Sequence, residues 1–272
     1  MYKSNQQLKQ EAKQALSGKW GTAVLMSLFT ILFTYTFSGI DVRNPIYTIA
    51  SIAGSILNII LNVGILSFFL KICCNQKQSA NFADLFYGFQ CHPGKAILLY
   101  LLNTLYLLPG ALIYAISMVI LFFATFGGMD LYADVEPAEA AKLFIILFLL
   151  IALFIAYACY IQLTYGLAYY LLLDYPDLPV YEIWKRSAQL MKGNRWRKFR
   201  LELSFIPWAI ACIFTLGIGF LWLGAYMNAA FTEFYLDLVS SRSLTHDCEA
   251  THGNSFEKIN KDYSGIDQNT FQ

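Results

Sequence analysis

Charge is what this chain has least of. Asp, Glu, Lys and Arg make up 14% of its 272 residues against 57% hydrophobic ones, and the mean hydropathy is +0.49. An average soluble domain carries about 25% charged residues. Here five windows contain none at all: residues 20–40, 44–70, 96–129, 143–173 and 203–232. Each is longer than the roughly 18 apolar residues that mark a bilayer-spanning helix, since about 20 residues rising about 1.5 Å each cross about 30 Å of hydrocarbon. The scarcity of charge excludes a soluble enzyme, a nucleic-acid binder, a secreted disulfide scaffold and a disordered chain.

Other scarcities narrow the chemistry. Only 3 histidines are present, none inside an apolar window, so a Ser/His/Asp arrangement has no support. Of the 6 cysteines, Cys159 and Cys212 fall within apolar windows. Cys73, Cys74, Cys91 and Cys248 map to one side, where reduced thiols are expected rather than a disulfide framework. Cys91-His92 is too small for a metal site, and His246, Cys248 and His252 match no zinc spacing. The chain has no GxSxG, HExxH or GxxxxGK[ST] motif. No ionisable residue lies in the interior of a predicted span; Glu202 and Glu233 sit near the predicted cytoplasmic ends. That weighs against ion coupling through buried carboxylates. The expectation is a protein that is not an enzyme, with no catalytic residue, no metal ligand and no cofactor.

The windows are continuously apolar rather than alternating, as in Leu143-Phe144-Ile145-Ile146-Leu147-Phe148, which predicts helices and not a β-barrel. The first window follows a polar lead and is longer than a signal-peptide core of roughly 7–15 residues, so it is expected to remain in the membrane. Pro109-Gly110 should kink the third span without dividing it. The stretch from Lys198 to Val239 is long enough for two spans about the Gly217-Ile218-Gly219 turn, with one tilted helix as the alternative. The predicted fold is thus all-α: a polytopic transmembrane helical bundle of about six spans, near 20–40, 46–70, 96–126, 143–173, 198–216 and 219–239. Short amphipathic interfacial helices accompany it. Residues 1–19 form a cytoplasmic amphipathic tail and 240–272 a flexible polar one.

Orientation follows from the basic residues. Six spans leave only Arg43 and Lys142 on one side and all other Lys and Arg on the opposite side. The positive-inside bias then places both termini in the cytoplasm. An acidic loop with Asp130, Asp134, Glu136 and Glu139 falls on the external side. Gln6 to Ser17 reads as an interfacial helix followed by Trp20; Phe82, Leu85, Phe86 and Phe89 read as another, after the capping residue Asn81. The longest interfacial stretch, Val180 to Phe199, interleaves aromatic and aliphatic residues with Lys185, Arg186, Lys192, Arg195, Arg197 and Lys198. Such a surface holds anionic headgroups, each Lys or Arg adding roughly 1 kcal/mol. The same charges also suffice merely to fix topology.

Neutral polar residues are few. Ser51, Ser55, Asn58 and Asn62 share one helix face, Asn103 and Asn228 lie in later windows, and Tyr157, Tyr160 and Thr164 form a second stripe. These stripes either pack helices together by close approach and hydrogen bonds, or line a solute cavity.

Specific stretches resemble a known family. Leu8-Lys9-Gln10-Glu11-Ala12-Lys13 with Gly18-Lys19-Trp20-Gly21, then Ala83-Asp84-Leu85-Phe86-Tyr87-Gly88-Phe89, are similar to segments of a bacterial integral-membrane family catalogued as domain of unknown function 975. So are Leu190-Met191-Lys192-Gly193, Trp208, Leu216-Gly217-Ile218-Gly219 and Phe234-Tyr235. The chain departs from the pattern at Gly224-Ala225, where family members often have Pro before the tyrosine that is Tyr226 here. The resemblance implies a multi-pass protein of the bacterial cytoplasmic membrane and carries over no catalytic residue. Two functions compete. The first is a non-enzymatic membrane protein binding anionic lipid headgroups or a membrane-protein partner at its basic face, and no nucleic acid. The second is a channel or transporter for a small or amphipathic solute, suggested by the breaks at Pro109-Gly110 and Gly217-Ile218-Gly219.

Overall fold

The computed structural model describes residues 2–37, 45–74, 80–90, 92–126 and 137–241. The acidic residues Asp130, Asp134 and Glu136, expected on the external side, the residues His246, Cys248 and His252, and the tail from 242 lie outside the described residues. Within them every regular element is helical. The chain divides into two compact units, Met1–Leu99 with Leu167–Gln272, and Tyr100–Gly166.

In the larger unit, α1 (Asn5–Leu16) starts on a reciprocal cap: the Gln7 N–H donates to Ser4 Oγ at 3.3 Å and the Ser4 N–H to Gln7 Oε1 at 2.8 Å. Its apolar face, Leu8, Ala12, Ala15 and Leu16, is buried. Gly18, at φ +82°, turns the chain into α2 (Trp20–Phe37). Next, α3 (Pro45–Cys73) has 29 residues, about 44 Å at about 1.5 Å per residue, and so overruns a bilayer core. Its final third buries Phe68, Phe69 and Ile72, and α3 packs against a 3-10 helix, Phe82–Phe89.

That docking depends on two glycines. A Cβ on Gly64 would lie 1.9 Å from the Leu85 carbonyl oxygen, and one on Gly88 would lie 2.1 Å from that of Ile60, so the two backbones touch only because neither residue has a side chain. Close approach through small residues is how helices pack where the surrounding solvent is itself apolar. The Lys71–Asp84 pair at 2.6 Å closes the contact, and the other Asp84 oxygen accepts the Asn81 N–H at 2.8 Å.

The smaller unit holds most of α4 (Pro93–Phe126) and α5 (Pro137–Tyr165). Pro109 sits inside α4 without ending it. Beside it Gly110 lets the Tyr157 ring lie against the α4 backbone, where a Cβ would approach the ring to 2.3 Å. The Tyr157 hydroxyl donates to the Tyr106 carbonyl at 2.6 Å, and Tyr114 stacks on Phe154 at 5.2 Å.

The larger unit then continues with α6 (Ala168–Asp174), α7 (Val180–Met191), α8 (Arg195–Leu203), α9 (Ile206–Phe214) and α10 (Gly219–Ser241). Among the described residues four stretches are long and apolar enough to cross a membrane: Trp20–Phe37, Pro45–Cys73, Pro93–Leu121 and Phe144–Asp174. The expected span 198–216 is not a continuous helix. Pro207 cannot donate to the Leu203 carbonyl, and the chain breaks at Ser204-Phe205 into α8 and α9, of 9 residues each. Neither is long enough to cross. The Gly217 turn expected after it is present, with Leu216 at φ 54° and Gly217 at φ +86°, so the single tilted helix is excluded.

Contacts within the larger unit set the level of α10. The Tyr226 hydroxyl donates to the Lys9 carbonyl at 3.2 Å, and its ring lies 6.4 Å from that of Trp20 and 5.3 Å from that of Phe205. Cys73 at the end of α3 reaches the Ala229 carbonyl at 3.9 Å. From Tyr226 onward α10 therefore lies beside α1 and the end of α3.

Candidate functional site

The basic stretch folds as α7, a turn at Gly193 with φ +85°, and α8. In α7 the spacing of Val180, Ile183, Trp184, Ser187, Leu190 and Met191 generates one buried face. The opposite face presents Lys185, with Arg186 half-buried at its edge. Lys192 is exposed in the turn; from α8 Arg200 and Trp196 are exposed and Arg195 is half-buried.

Arg197 and Lys198, read from sequence as headgroup contacts, turn inward instead. One Arg197 nitrogen donates to Asp237 Oδ2 at 2.7 Å and to the Lys3 carbonyl at 2.9 Å, and the guanidinium lies 4.3 Å from the centre of the Tyr2 ring and 5.3 Å from that of Phe234. The other Asp237 oxygen accepts the Lys3 N–H at 3.1 Å. Arg197 thus pins the N-terminal segment and α8 to α10, as a planar guanidinium with several fixed donors does well. Lys198 is buried, 3.7 Å from Glu202 and over the Phe231 ring at 6.0 Å.

Other lysines read as topology markers also hold backbone. Lys9 donates to the Ser204 carbonyl at 2.9 Å, at the negative end of α8, and Lys19 to that of Ala80 at 2.8 Å. Lys95 donates to the carbonyls of Pro176 and of Leu178, the latter at 3.2 Å. Lys3 pairs with Glu11 at 2.7 Å. Burial works against its charge, but Glu11, Glu233 and Asp237 outweigh burial and raise its pKa. Burial also pushes the nearby Glu233 carboxyl up to about 7.

Sequence reasoning missed this Lys3–Arg197–Asp237 network because its members are far apart in the chain. The available signal was Glu233 and Asp237, two carboxylates one helical turn apart in an apolar helix, which call for buried cations.

The polar stripe of α3 divides. Ser51 donates to the Phe37 carbonyl at 2.8 Å and Asn58 to the Thr34 hydroxyl, both on α2. Ser55 and Asn62 bond back onto their own helix. Asn103 has a buried side-chain oxygen with no partner among the described residues, and Asn228, half-buried, offers its carbonyl to Thr232 at 2.8 Å. In the second stripe Thr164 donates to the Tyr160 carbonyl. Among the described residues no group of three His, Cys, Asp or Glu is placed to hold a metal.

A family model described as a protein of unknown function, DUF975, matches residues 1–242, and the chain belongs to that family. No curated protein and no solved structure matches the chain.

Proposed function

We propose that this DUF975-family chain is a multi-pass protein of the bacterial cytoplasmic membrane that acts without catalysing a reaction, by presenting a basic cytoplasmic face to anionic lipid headgroups. The observation that carries the reading is the division of labour in α7 and α8. Arg197 and Lys198 are committed to the interior, while Lys185, Lys192 and Arg200 stay exposed, Arg200 one helical turn from the exposed Trp196. Exposed cations flanked by an indole suit the headgroup layer.

Sidedness does not depend on whether four or six spans are counted, since either even number returns the chain to the side on which it began. Both termini remain cytoplasmic by the positive-inside bias. Helix packing, rather than a solute pathway, is favoured for the α3 stripe, because Ser51 and Asn58 donate into α2.

The test is native mass spectrometry of the protein released from its own membrane, comparing wild type with the Lys185→Gln, Lys192→Gln, Arg200→Gln triple variant. The expected result is retained anionic lipid on the wild type and its loss from a variant that is otherwise folded. At roughly 1 kcal/mol per cation, about 100-fold in affinity is at stake. Equal lipid retention by the two proteins would overturn the reading. Co-release of one specific protein would move the proposal to a membrane-protein partner.

A further inference from the structure

We infer that the α9–α10 hairpin is a re-entrant wedge that enters only the cytoplasmic leaflet, with its apolar tip held among the acyl chains of that leaflet. The inference rests on the membrane reading above but not on headgroup binding.

Three observations carry it. The first is depth. The base of the hairpin is fixed where Phe205 and Tyr226 meet Trp20 at the start of α2 and Lys9 of the interfacial helix α1. From that base α9 has 9 residues, about 14 Å of helix, against the roughly 30 Å of a hydrocarbon core. The Gly217 turn therefore stops near the middle of the bilayer.

The second is the chemistry of the tip. Phe214 is 85% exposed, Leu216 94% and Ile218 60%, and no charged residue lies between Leu203 and Thr232. A turn that emerged into water on the far side would gain nothing from such side chains. Among acyl chains they stay in the solvent they prefer.

The third is the backbone. Every N–H from Thr215 to Leu221 has a partner inside the hairpin. Thr215 and Gly217 donate to the Cys212 carbonyl, Leu216 to Ile213, Ile218 to Thr215, Phe220 to Gly217 and Leu221 to Ile218. The Gly219 N–H donates to the Thr215 hydroxyl at 3.0 Å, which itself donates to the Cys212 carbonyl at 2.8 Å. A turn in water leaves donors to the solvent; one in hydrocarbon has to satisfy them internally. Gly219 permits this closure, since a Cβ there would come within 2.8 Å of Cys212 Sγ.

Thr215 is thus the residue that seals the turn, and the occupant of the tip is lipid rather than water. Because the wedge takes up area in one leaflet alone, it couples the protein to lateral packing in the cytoplasmic leaflet.

The experiment places single cysteines in the full chain after its native cysteines are replaced by serine: Ile218→Cys at the tip, Leu216→Cys as a second tip reporter, Ile46→Cys as the external reference and Lys192→Cys as the cytoplasmic one. With an impermeant maleimide on intact cells, Ile46→Cys is labelled and both tip variants give no signal above the cysteine-free chain. With nitroxide labels in liposomes, both tip sites favour oxygen over a water-soluble nickel complex, whereas Lys192→Cys favours the nickel complex. Labelling of the tip in intact cells would overturn the inference in favour of two full spans. Nickel accessibility at the tip would show that the hairpin lies outside the bilayer, and a disulfide between tip cysteines of two chains would make a second copy the occupant. Failure of Ile46→Cys to label from outside would instead sink the sidedness on which the membrane reading depends, and loss of anionic lipid binding leaves the tip result unaffected.

Discussion

Two long and continuously apolar helices, α3 and α5, have opposite surroundings. More than half of the most apolar stretch of α3 is buried, whereas almost none of that of α5 is. Phe68 has no exposed surface; Phe148 is 71% exposed. In the larger unit the short helices α1, α6, α7 and α8 and the 3-10 helix make a dry core around the ends of α3 and α10. In the smaller unit α4 and α5 touch chiefly through Tyr106, Gly110, Tyr114, Phe154 and Tyr157. Mean hydropathy reports transfer into the membrane and is blind to what a helix meets there. What distinguishes the two is the small residues: Ser51, Gly54, Gly64 and Ser67 mark the packed side of α3, while residues 144–151 of α5 are all bulky.

Several substitutions would sharpen or break that contrast. The largest effect is expected at the Arg197–Asp237 pair. Arg197→Ala leaves a carboxylate that is almost wholly buried without its cation, which costs about 3–5 kcal/mol and releases the N-terminal segment. Accelerated proteolysis near residue 3 in the purified protein checks this; unchanged protection would mean the pair holds nothing. Comparable in size is Phe68→Ala, about 3–5 kcal/mol from a lost ring and its cavity. Phe148→Ala, at an exposed ring, should leave the thermal midpoint nearly unmoved, and equal losses at the two sites would erase the distinction between the units.

Gly64→Ala comes next, at about 1–3 kcal/mol, because the new methyl meets backbone rather than a movable side chain. Gly94→Ala, with no atom within 4 Å, is its control. Unfolding of the two variants in the same detergent should separate them.

A smaller effect depends on pH. With its carboxyl raised to about 7 from an ordinary 4.5, Glu233 keeps a proton in the folded chain that the unfolded chain gives up. Its favourable contribution is complete below about pH 4.5 and is lost as pH rises to about 7, to an extent of at most about 3 kcal/mol. Glu233→Gln should therefore track the wild type at low pH and become the more stable protein above neutrality. Parallel melting curves across that range would show that Glu233 ionises freely.

Much of this was legible beforehand. The absence of charge marked five windows, four of which hold the long apolar helices, and Gly217-Ile218-Gly219 marked a turn. What escaped was Pro207, one residue in an otherwise uninterrupted apolar window, whose missing donor breaks the helix near Ser204. Also hidden was the direction of the basic residues. Lys192, Arg197 and Arg200 look alike in the chain, and only the folding of α10, forty residues after Arg197, supplies the Asp237 that draws Arg197 inward. Lys185 too was grouped with the other cations, and it is the folded α7 that sets it opposite the buried Ile183, Trp184 and Leu190. The candidate site was thus visible as a stretch but not as a selection within it.

That selection is most directly tested by titrating purified protein with phosphatidylglycerol and following its thermal midpoint. A lipid that binds the folded chain alone must raise the midpoint with concentration. The wild type should rise, and the Lys185→Gln, Lys192→Gln, Arg200→Gln variant should start from the same midpoint and stay there. A variant that rises as steeply as the wild type would contradict the account, because the exposed cations of α7 and α8 would then not be what holds the lipid.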